Sequence, residues 1–377
     1  MPDLDFPRAI DAISADWLTG RLHSSGVLPA GGRVTQIVAE PLGHGVGFVS
    51  AMQRLRPVYE GDARGAPASI IAKVSPVDPS SRQVGEIFRF YQKETGFYDQ
   101  LASRTPVRTA RAYGVDYDPA TMDFVLLLED LSPARLGDQV EGLSARDAQA
   151  AIDVAARLHG AWWRSPELPG MDWLLALNSA EMKALEPVYQ QCWPAVVDFI
   201  GGSMSPYMRR AGEAFATRVA ALMDRACEQP QTLMHGDFRA DNMMFEAGAA
   251  ADPFALVDWQ IVMKGPGAFD LAYMLSGSVT VEDRRSWQDD LIARHHAGLV
   301  ATGLEGYSAA QAREDFRVCG VLAWCWPSDP LTSTIPAASP CSAPGPGGPW
   351  PFWRTWTAPP SSAERFQRRK PRTSCMS

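Results

Sequence analysis

The sequence predicts an α+β protein of two lobes: a small N-terminal lobe on an antiparallel sheet and a larger helical C-terminal lobe, followed by an irregular tail. Three observations carry that expectation. Before residue 131 the apolar residues fall mostly in short β-type runs, with one helical stretch. After it they recur at i, i+3 and i+4, the spacing of one helix face. The chain has 377 residues, and at roughly 100–200 residues per domain that is room for two domains. The lobes are expected at residues 1–131 and 132–326, with 327–377 as the tail.

Residues 34–40 and 48–55 read as strands around a glycine-rich turn, Gly43-His44-Gly45-Val46-Gly47. Residues 69–74 (SIIAKV) form a third strand, residues 83–101 a helix, and residues 124–128 (FVLLL) a buried strand. Ser144 opens the helical half as an N-cap, with Asp147 as its capping-box partner. Ala148, Ile152, Ala155, Leu158, His159 and Trp162 follow on one helix face, which places His159 in the core. Residues 207–227 read as one helix through Met208, Ala211, Phe215, Val219 and Leu222. Short strands at 243–245 and 254–257 flank a turn, and residues 282–297 and 309–324 are helical. His295 and His296 read as a solvated helix surface.

Composition bounds the function. Apolar residues make up 46% and charged residues 21%, which are globular values, and the net charge is −8. An acidic chain argues against a dedicated nucleic-acid binder. No window approaches the roughly 18 apolar residues of a membrane span. The N-terminus is acidic and broken by proline, unlike a signal peptide. Six cysteines without a C-x-x-C pair suggest reduced thiols in the cytoplasm and no zinc site. Only five of the basic residues are lysines, so each lysine merits attention.

Residues 327–377 have a different texture. They hold 11 of the 30 prolines, and five of the 12 tryptophans lie from Trp324 onward. Proline this dense blocks helix and sheet ladders, while disordered tails are poor in aromatics. Read one base earlier, the codons of residues 350–357 become Leu/Met/Val, Ala, an aliphatic or Phe, Leu, Ala/Glu, Tyr/His/Asn/Asp, Leu/Met/Val and Asp. That is an amphipathic helix pattern. The expectation is a shifted reading frame that begins near residues 324–330.

The chemistry concentrates in His235-Gly236-Asp237-Phe238-Arg239-Ala240-Asp241-Asn242 and Leu256-Val257-Asp258-Trp259. Asn242 precedes one short strand and Asp258 follows the next. If those strands pair as a hairpin, both side chains sit at its open end. An amide and a carboxylate there make a hard oxygen site suited to Mg²⁺. Asp237 lies in the loop leading in and can approach the same point as a base. A carboxylate base beside Mg²⁺ is equipment for phosphoryl transfer to a hydroxyl.

H-G-D-x-x-x-x-N followed by D-W resembles the catalytic loop and metal-binding aspartate of the aminoglycoside phosphotransferase and choline-kinase group, and within it the ecdysteroid-kinase-like branch. The resemblance covers roughly residues 30–325 and implies a protein-kinase-like fold. It implies that Asp237 is the catalytic base and that Asn242 and Asp258 hold Mg²⁺. Gly43, Gly45 and Gly47 would lie over the ATP phosphates, and Lys73 would hold the α- and β-phosphates. Glu94, in an E-x-x-F-Y helix, would pair with Lys73, with Glu86 as the alternative. Glu129 and Leu131 would present hinge backbone to the adenine edge. His235 and Asp270 would support the loop. Whether Arg239 and Asp241 touch phosphate or substrate stays open.

The resulting expectation is an ATP- and Mg²⁺-dependent kinase acting on a hydroxyl of a small molecule. The alternative is a nucleotide-binding protein without useful catalysis, for which the altered tail argues. A protein kinase is disfavoured because the loop reads HGD and no A-P-E-like segment follows Asp258. Walker A and G-x-S-x-G motifs are absent. The acceptor is not legible, since aminoglycoside-like and apolar alcohols fit equally. Trp162, Trp163, Trp173 and Trp193 serve an apolar pocket or the core equally well.

Overall fold

The structure, a computed structural model, describes residues 6–42, 50–200, 202, 204–247 and 254–323. The turn holding Gly43, Gly45 and Gly47, and the whole tail from residue 324, lie outside the described residues.

The first lobe comprises α1 (Ala15–Ser24), β1 (Gly32–Pro41), β2 (Ala51–Gly61), β3 (Ile70–Val74), α2 (Pro79–Ile87), α3 (Phe90–Gly96), β4 (Ala112–Asp118) and β5 (Asp123–Glu129). The five strands form one antiparallel sheet in the order β1-β2-β3-β5-β4. Side chains alternate across a pleated strand. Ile70, Ala72 and Val74 of β3 therefore pack with Leu18 and Leu22 of α1 and with Val125 and Leu127. Lys73 falls on the opposite face. There Phe124, Leu126 and Leu128 of β5 pack with Phe90, Tyr91 and Phe97.

The helix expected at 83–101 is two helices. Arg89 adopts φ 55°, in the left-handed region, and separates α2 from α3. The break lets Tyr91 stack on Phe124 at 4.9 Å while its ring lies against the backbone of Gly85. Glu181 and the carbonyl of Asp172 hold the Arg89 guanidinium at 2.8 and 3.2 Å. The α3 helix continues as a π-turn over Phe97–Leu101. The expected strand at 48–55 instead runs to Gly61 and carries Pro57 opposite Ile37. The edge strand β4 was not legible because none of its residues is fully buried and no alternation results.

The second lobe comprises β6 (Arg135–Leu136), α4 (Ala145–Ala161), α5 (Ala180–Lys183), α6 (Leu185–Ile200), α7 (Pro206–Phe215), α8 (Val219–Cys227), β7 (Thr232–Met234), β8 (Met243–Phe245), β9 (Ala255–Leu256), β10 (Met263–Gly265), α9 (Ala268–Gly277), α10 (Val281–Ala301) and α11 (Ala309–Ala323). Ser144 caps α4 by accepting from the Asp147 N–H at 3.1 Å. The Asp147 carboxylate turns instead to Arg135, so only half of the expected capping box forms. The helix expected at 207–227 is split into α7 and α8. Glu186 of α6 accepts from the Ala220 N–H at 2.9 Å and caps the first turn of α8.

His295 and His296 are not a solvated surface. His295 is 4% exposed. Gly298 lets α10 approach α4 so closely that a Cβ there would lie 2.5 Å from the Ala156 methyl. His296 is half-buried and bonds the Tyr307 carbonyl at 2.8 Å. Among the described residues no helix is long and apolar enough to cross a membrane.

The α1 helix covers the sheet that carries Lys73, and Leu22 is fully buried beneath it. Leu22→Ala is expected to cost about 2–5 kcal/mol, the range for emptying a core leucine site. Urea unfolding should show a lower midpoint. An unchanged midpoint would mean that α1 does not dock on the sheet.

Candidate active site

The site is assembled from the sheet of the first lobe and two turns of the second. Lys73 is 6% exposed and points from β3 toward α3. Its ammonium donates to both Glu94 oxygens, at 2.6 and 2.8 Å, and to Asp258 Oδ1 at 3.1 Å. Glu94 is therefore the partner. Glu86 lies on the separate helix α2 and pairs with Arg82. Burial alone would push the Lys73 ammonium down, but Asp258 and Glu94 outweigh it and hold it above its ordinary value. Burial, aided by Asp258, pushes the Glu94 carboxyl up against the pull of Lys73. Two carboxylates thus share one ammonium, and the cluster has an excess of negative charge.

An aromatic stack brings Asp258 to this pair. Trp259 is fully buried and lies on Phe97, three residues after Glu94, with ring centroids 3.7 Å apart and planes 8° apart. The indole N–H reaches Thr109 Oγ1 at 3.0 Å and the Leu256 carbonyl at 3.2 Å. Asp258 itself takes φ 66°, so the chain reverses and the carboxylate turns toward Lys73. Strands β8 and β9 pair as the expected hairpin, Met243 opposite Leu256. The Val257 N–H donates to the Asn242 carbonyl at 3.0 Å, which places Asn242 and Asp258 at the same end.

The loop between β7 and β8 is held by a buried carboxylate. Asp270, at the start of α9, is fully buried. Its Oδ2 accepts from the His235 N–H at 2.7 Å and its Oδ1 from the Gly236 N–H at 2.9 Å. His235 Nε2 donates to the Val257 carbonyl at 3.1 Å, and its Nδ1 accepts from the Asp237 N–H at 3.3 Å. His235 is thus a brace, as is Asp270. Asp237 follows, 1% exposed. Asn242 Nδ2 donates to the Asp237 carbonyl and to its Oδ2, both at 2.9 Å. The Asp237 Oδ1 atom has no hydrogen bond among the described residues. It faces the Arg239 Nε at 3.3 Å.

The chain belongs to the ecdysteroid kinase-like family. The family's model matches residues 44–305, which include every one of these side chains. The structure is similar to a choline kinase from Cryptosporidium parvum Iowa II, at 9% identity over 85% of this chain and 86% of that one, with a TM-score of 0.53. It is also similar to the wild-type aminoglycoside 2'-phosphotransferase-IIIa in its GDP complex, at 12% identity over 81% and 86% of the two chains, with a TM-score of 0.51. At these identities the likeness establishes a shared kinase-like two-lobe fold. No curated protein matches the chain.

Two features of this site were not legible in the sequence: the partners of Arg239 and Asp241, and those of the segment at the lobe junction. Arg239 sits beside Asp237 and donates to Gln139 Oε1 at 3.2 Å. Burial would push its guanidinium down, but Asp237 and neighbouring carboxylates hold it cationic. Asp241 accepts from the Gln139 N–H at 2.9 Å, and burial pushes its carboxyl up. The spacing of Arg239 two residues after Asp237 was the available signal. At the lobe junction the Glu129 carboxylate pairs with Arg108, and its N–H donates to the Arg111 carbonyl. Asp130 binds Arg54 and accepts from Ser69 and from the Ser132 N–H, so this segment is pinned on both sides.

Among the described residues there is no group of three or more His, Cys, Asp or Glu side chains that could hold a metal ion. The pair Asn242 and Asp258 still fits Mg²⁺. The Asn242 amide nitrogen is committed to Asp237, which leaves its oxygen free to coordinate. One Asp258 oxygen is engaged by Lys73, and the side chain is 26% exposed. Mg²⁺ needs one or two such protein oxygens and takes the rest from phosphate and water.

The loop geometry depends on Gly236. Its φ is +81°, and a Cβ there would lie 2.3 Å from the Ile261 carbonyl. Gly236→Ala is expected to cost about 2–5 kcal/mol, from the left-handed backbone and the overlap together. Chemical denaturation should show it. Wild-type stability would mean that the turn is not built as described.

Proposed function

We propose that this protein transfers the γ-phosphoryl group of ATP, with Mg²⁺, to a hydroxyl of a small molecule. The observation that carries this reading is the state of Asp237. One of its oxygens is fixed by Asn242, and the other is buried, without a hydrogen bond among the described residues, beside the cationic Arg239. A carboxylate held this way is oriented to take a proton, and its free lone pairs define where an acceptor hydroxyl would sit.

Each further residue then has a task. Lys73, freed from sharing two carboxylates, would bind the α- and β-phosphates while Glu94 fixes its direction. Asn242 and Asp258 would hold Mg²⁺, which supplies positive charge to the phosphate oxygens when bound. Arg239 pairs with Asp237 and lies close enough to face the transferring group. As the acceptor oxygen attacks the γ-phosphorus, the bond to the bridging oxygen would break, ADP would leave, and Asp237 would accept the acceptor's proton at Oδ1. The backbone of Glu129 and Leu131 at the lobe junction would face the adenine edge. The glycine turn at residues 43–47 would cover the phosphates. A cytoplasmic location would suit cysteines that are sparse and show no C-x-x-C pair.

The acceptor class is left to experiment, and phosphate release from MgATP serves as the assay until it is known. Asp237→Asn should lower kcat by about 10²-fold or more, as for a lost general base, with MgATP affinity little changed. Wild-type turnover in that variant would remove Asp237 from the mechanism. Lys73→Ala and Asp258→Ala should each weaken MgATP binding, measured by calorimetry. Unchanged affinity in both would place the nucleotide elsewhere.

A further inference from the structure

Asp270 braces the catalytic loop through both of its oxygens, and a chain of two buried histidines stands behind it. His159 of α4 is fully buried, and its Nε2 lies 3.0 Å from Asp270 Oδ2. Its Nδ1 lies 2.9 Å from His295 Nε2 of α10. The rings meet edge to face, with centroids 5.2 Å apart. The contact is tightly packed. Gly267 lies so close to the His159 ring that a Cβ there would approach Nδ1 at 2.6 Å. Thr302 and Gly160 close the same helix pair further along, and Arg294 binds Asp153 across its outer edge.

The hydrogen-bond inventory fixes the direction of this chain. A carboxylate only accepts, so His159 must carry its proton on Nε2. With that proton as its only one, the ring presents a bare Nδ1, which in a buried site needs a donor. The His295 Nε2 is the group within reach. His295 is therefore the donor, and burial keeps it neutral. Without it His159 would keep an unmet polar atom at Nδ1, and one of the two hydrogen bonds that fix its ring against Asp270 would be lost.

We propose that His295 is a positioning residue for the phosphoryl transfer. Through His159 it holds Asp270, and through Asp270 it sets the His235–Gly236 backbone from which Asp237 projects. This rests on the phosphotransfer reading above. It separates the pair from a merely structural contact, because the effect should appear in turnover and at the ring nitrogens of His159.

Two variants of the full chain test it. In His295→Leu the donor is lost. In His295→Gln the side-chain amide can donate from nearly the same place. His295→Leu should lower phosphate release from MgATP by about tenfold, on the scale of one buried hydrogen bond. Its MgATP affinity by calorimetry should stay within about twofold, because the bond acts on the loop and not on the nucleotide. His295→Gln should recover most of the turnover. Long-range nitrogen NMR of the six histidines, with His159 assigned by substitution, should show Nε2 protonated in both proteins and an Nδ1 that is hydrogen-bonded in the wild type and unbonded in His295→Leu. Wild-type turnover in His295→Leu overturns the proposal. So does an equal loss in both variants that follows a fall in melting temperature, since that reports packing alone. If the wild type releases no phosphate, the phosphotransfer reading fails, and the NMR arm alone decides. A His159 Nδ1 resonance that moves to that of an unbonded ring nitrogen in His295→Leu then supports the linkage, and one that is indifferent to the substitution refutes it.

Discussion

A single ammonium, that of Lys73, joins the parts of this site. It is buried where burying a charge without a partner would cost several kcal/mol. Its partners come from separate elements: Glu94 from α3 and Asp258 from the turn after β9. The sheet must therefore present Lys73 on the α3 face, α3 must sit beneath it, and the second lobe must deliver Asp258. The pleat of β3 secures the first. The reversal at Arg89 secures the second by letting α3 turn under the sheet. The Trp259 stack on Phe97 secures the third, and it uses dispersion and apolar burial rather than charge. Because two carboxylates share one ammonium, the cluster is short of positive charge, which is the condition that favours a divalent cation and its phosphate.

The other end of the site is ordered by hydrogen bonds. The His235–Gly236 segment is an irregular loop whose buried N–H groups need acceptors. Asp270 supplies two of them from a helix start, and His235 uses its ring to join the Asp237 N–H to the Val257 carbonyl. Asp237 and the hairpin that carries Asn242 and Asp258 are thereby referenced to one another. These residues lie in the second lobe. Lys73 and Glu94 lie in the first, and α1 backs their sheet from the far face.

Much of this was legible in the sequence, for physical reasons that can be named. The spacing of Asp237, Asn242 and Asp258 reflects a tight loop and a short hairpin, both local structures, and local structure writes itself into spacing. Lys73 stood out because lysine is rare in this chain and because SIIAKV alternates as a buried strand must. The choice between Glu94 and Glu86 was not local. It depended on a helix break at Arg89 that no glycine or proline announces. The β4 edge strand shows no alternation because neither of its faces is fully covered. His295 was misread for a similar reason. The mean pattern of α10 is polar, and only Leu291, Ile292, His295 and Leu299 turn inward. A histidine among apolar residues at i−4 and i+4 was the available sign. Arg239 was singled out from its place in the loop, but its partners could not be read from the sequence.

The account's central claim is that the Lys73–Glu94–Asp258 cluster and Asn242 form one site for nucleotide phosphate and a divalent cation. Calorimetric titration of the wild-type chain with ATP, with and without Mg²⁺, tests it most directly. The account predicts saturable one-to-one binding that strengthens markedly when Mg²⁺ is present, since the cluster carries unbalanced negative charge until the cation arrives. ATP binding of equal strength with and without Mg²⁺, or no binding in either case, would contradict it.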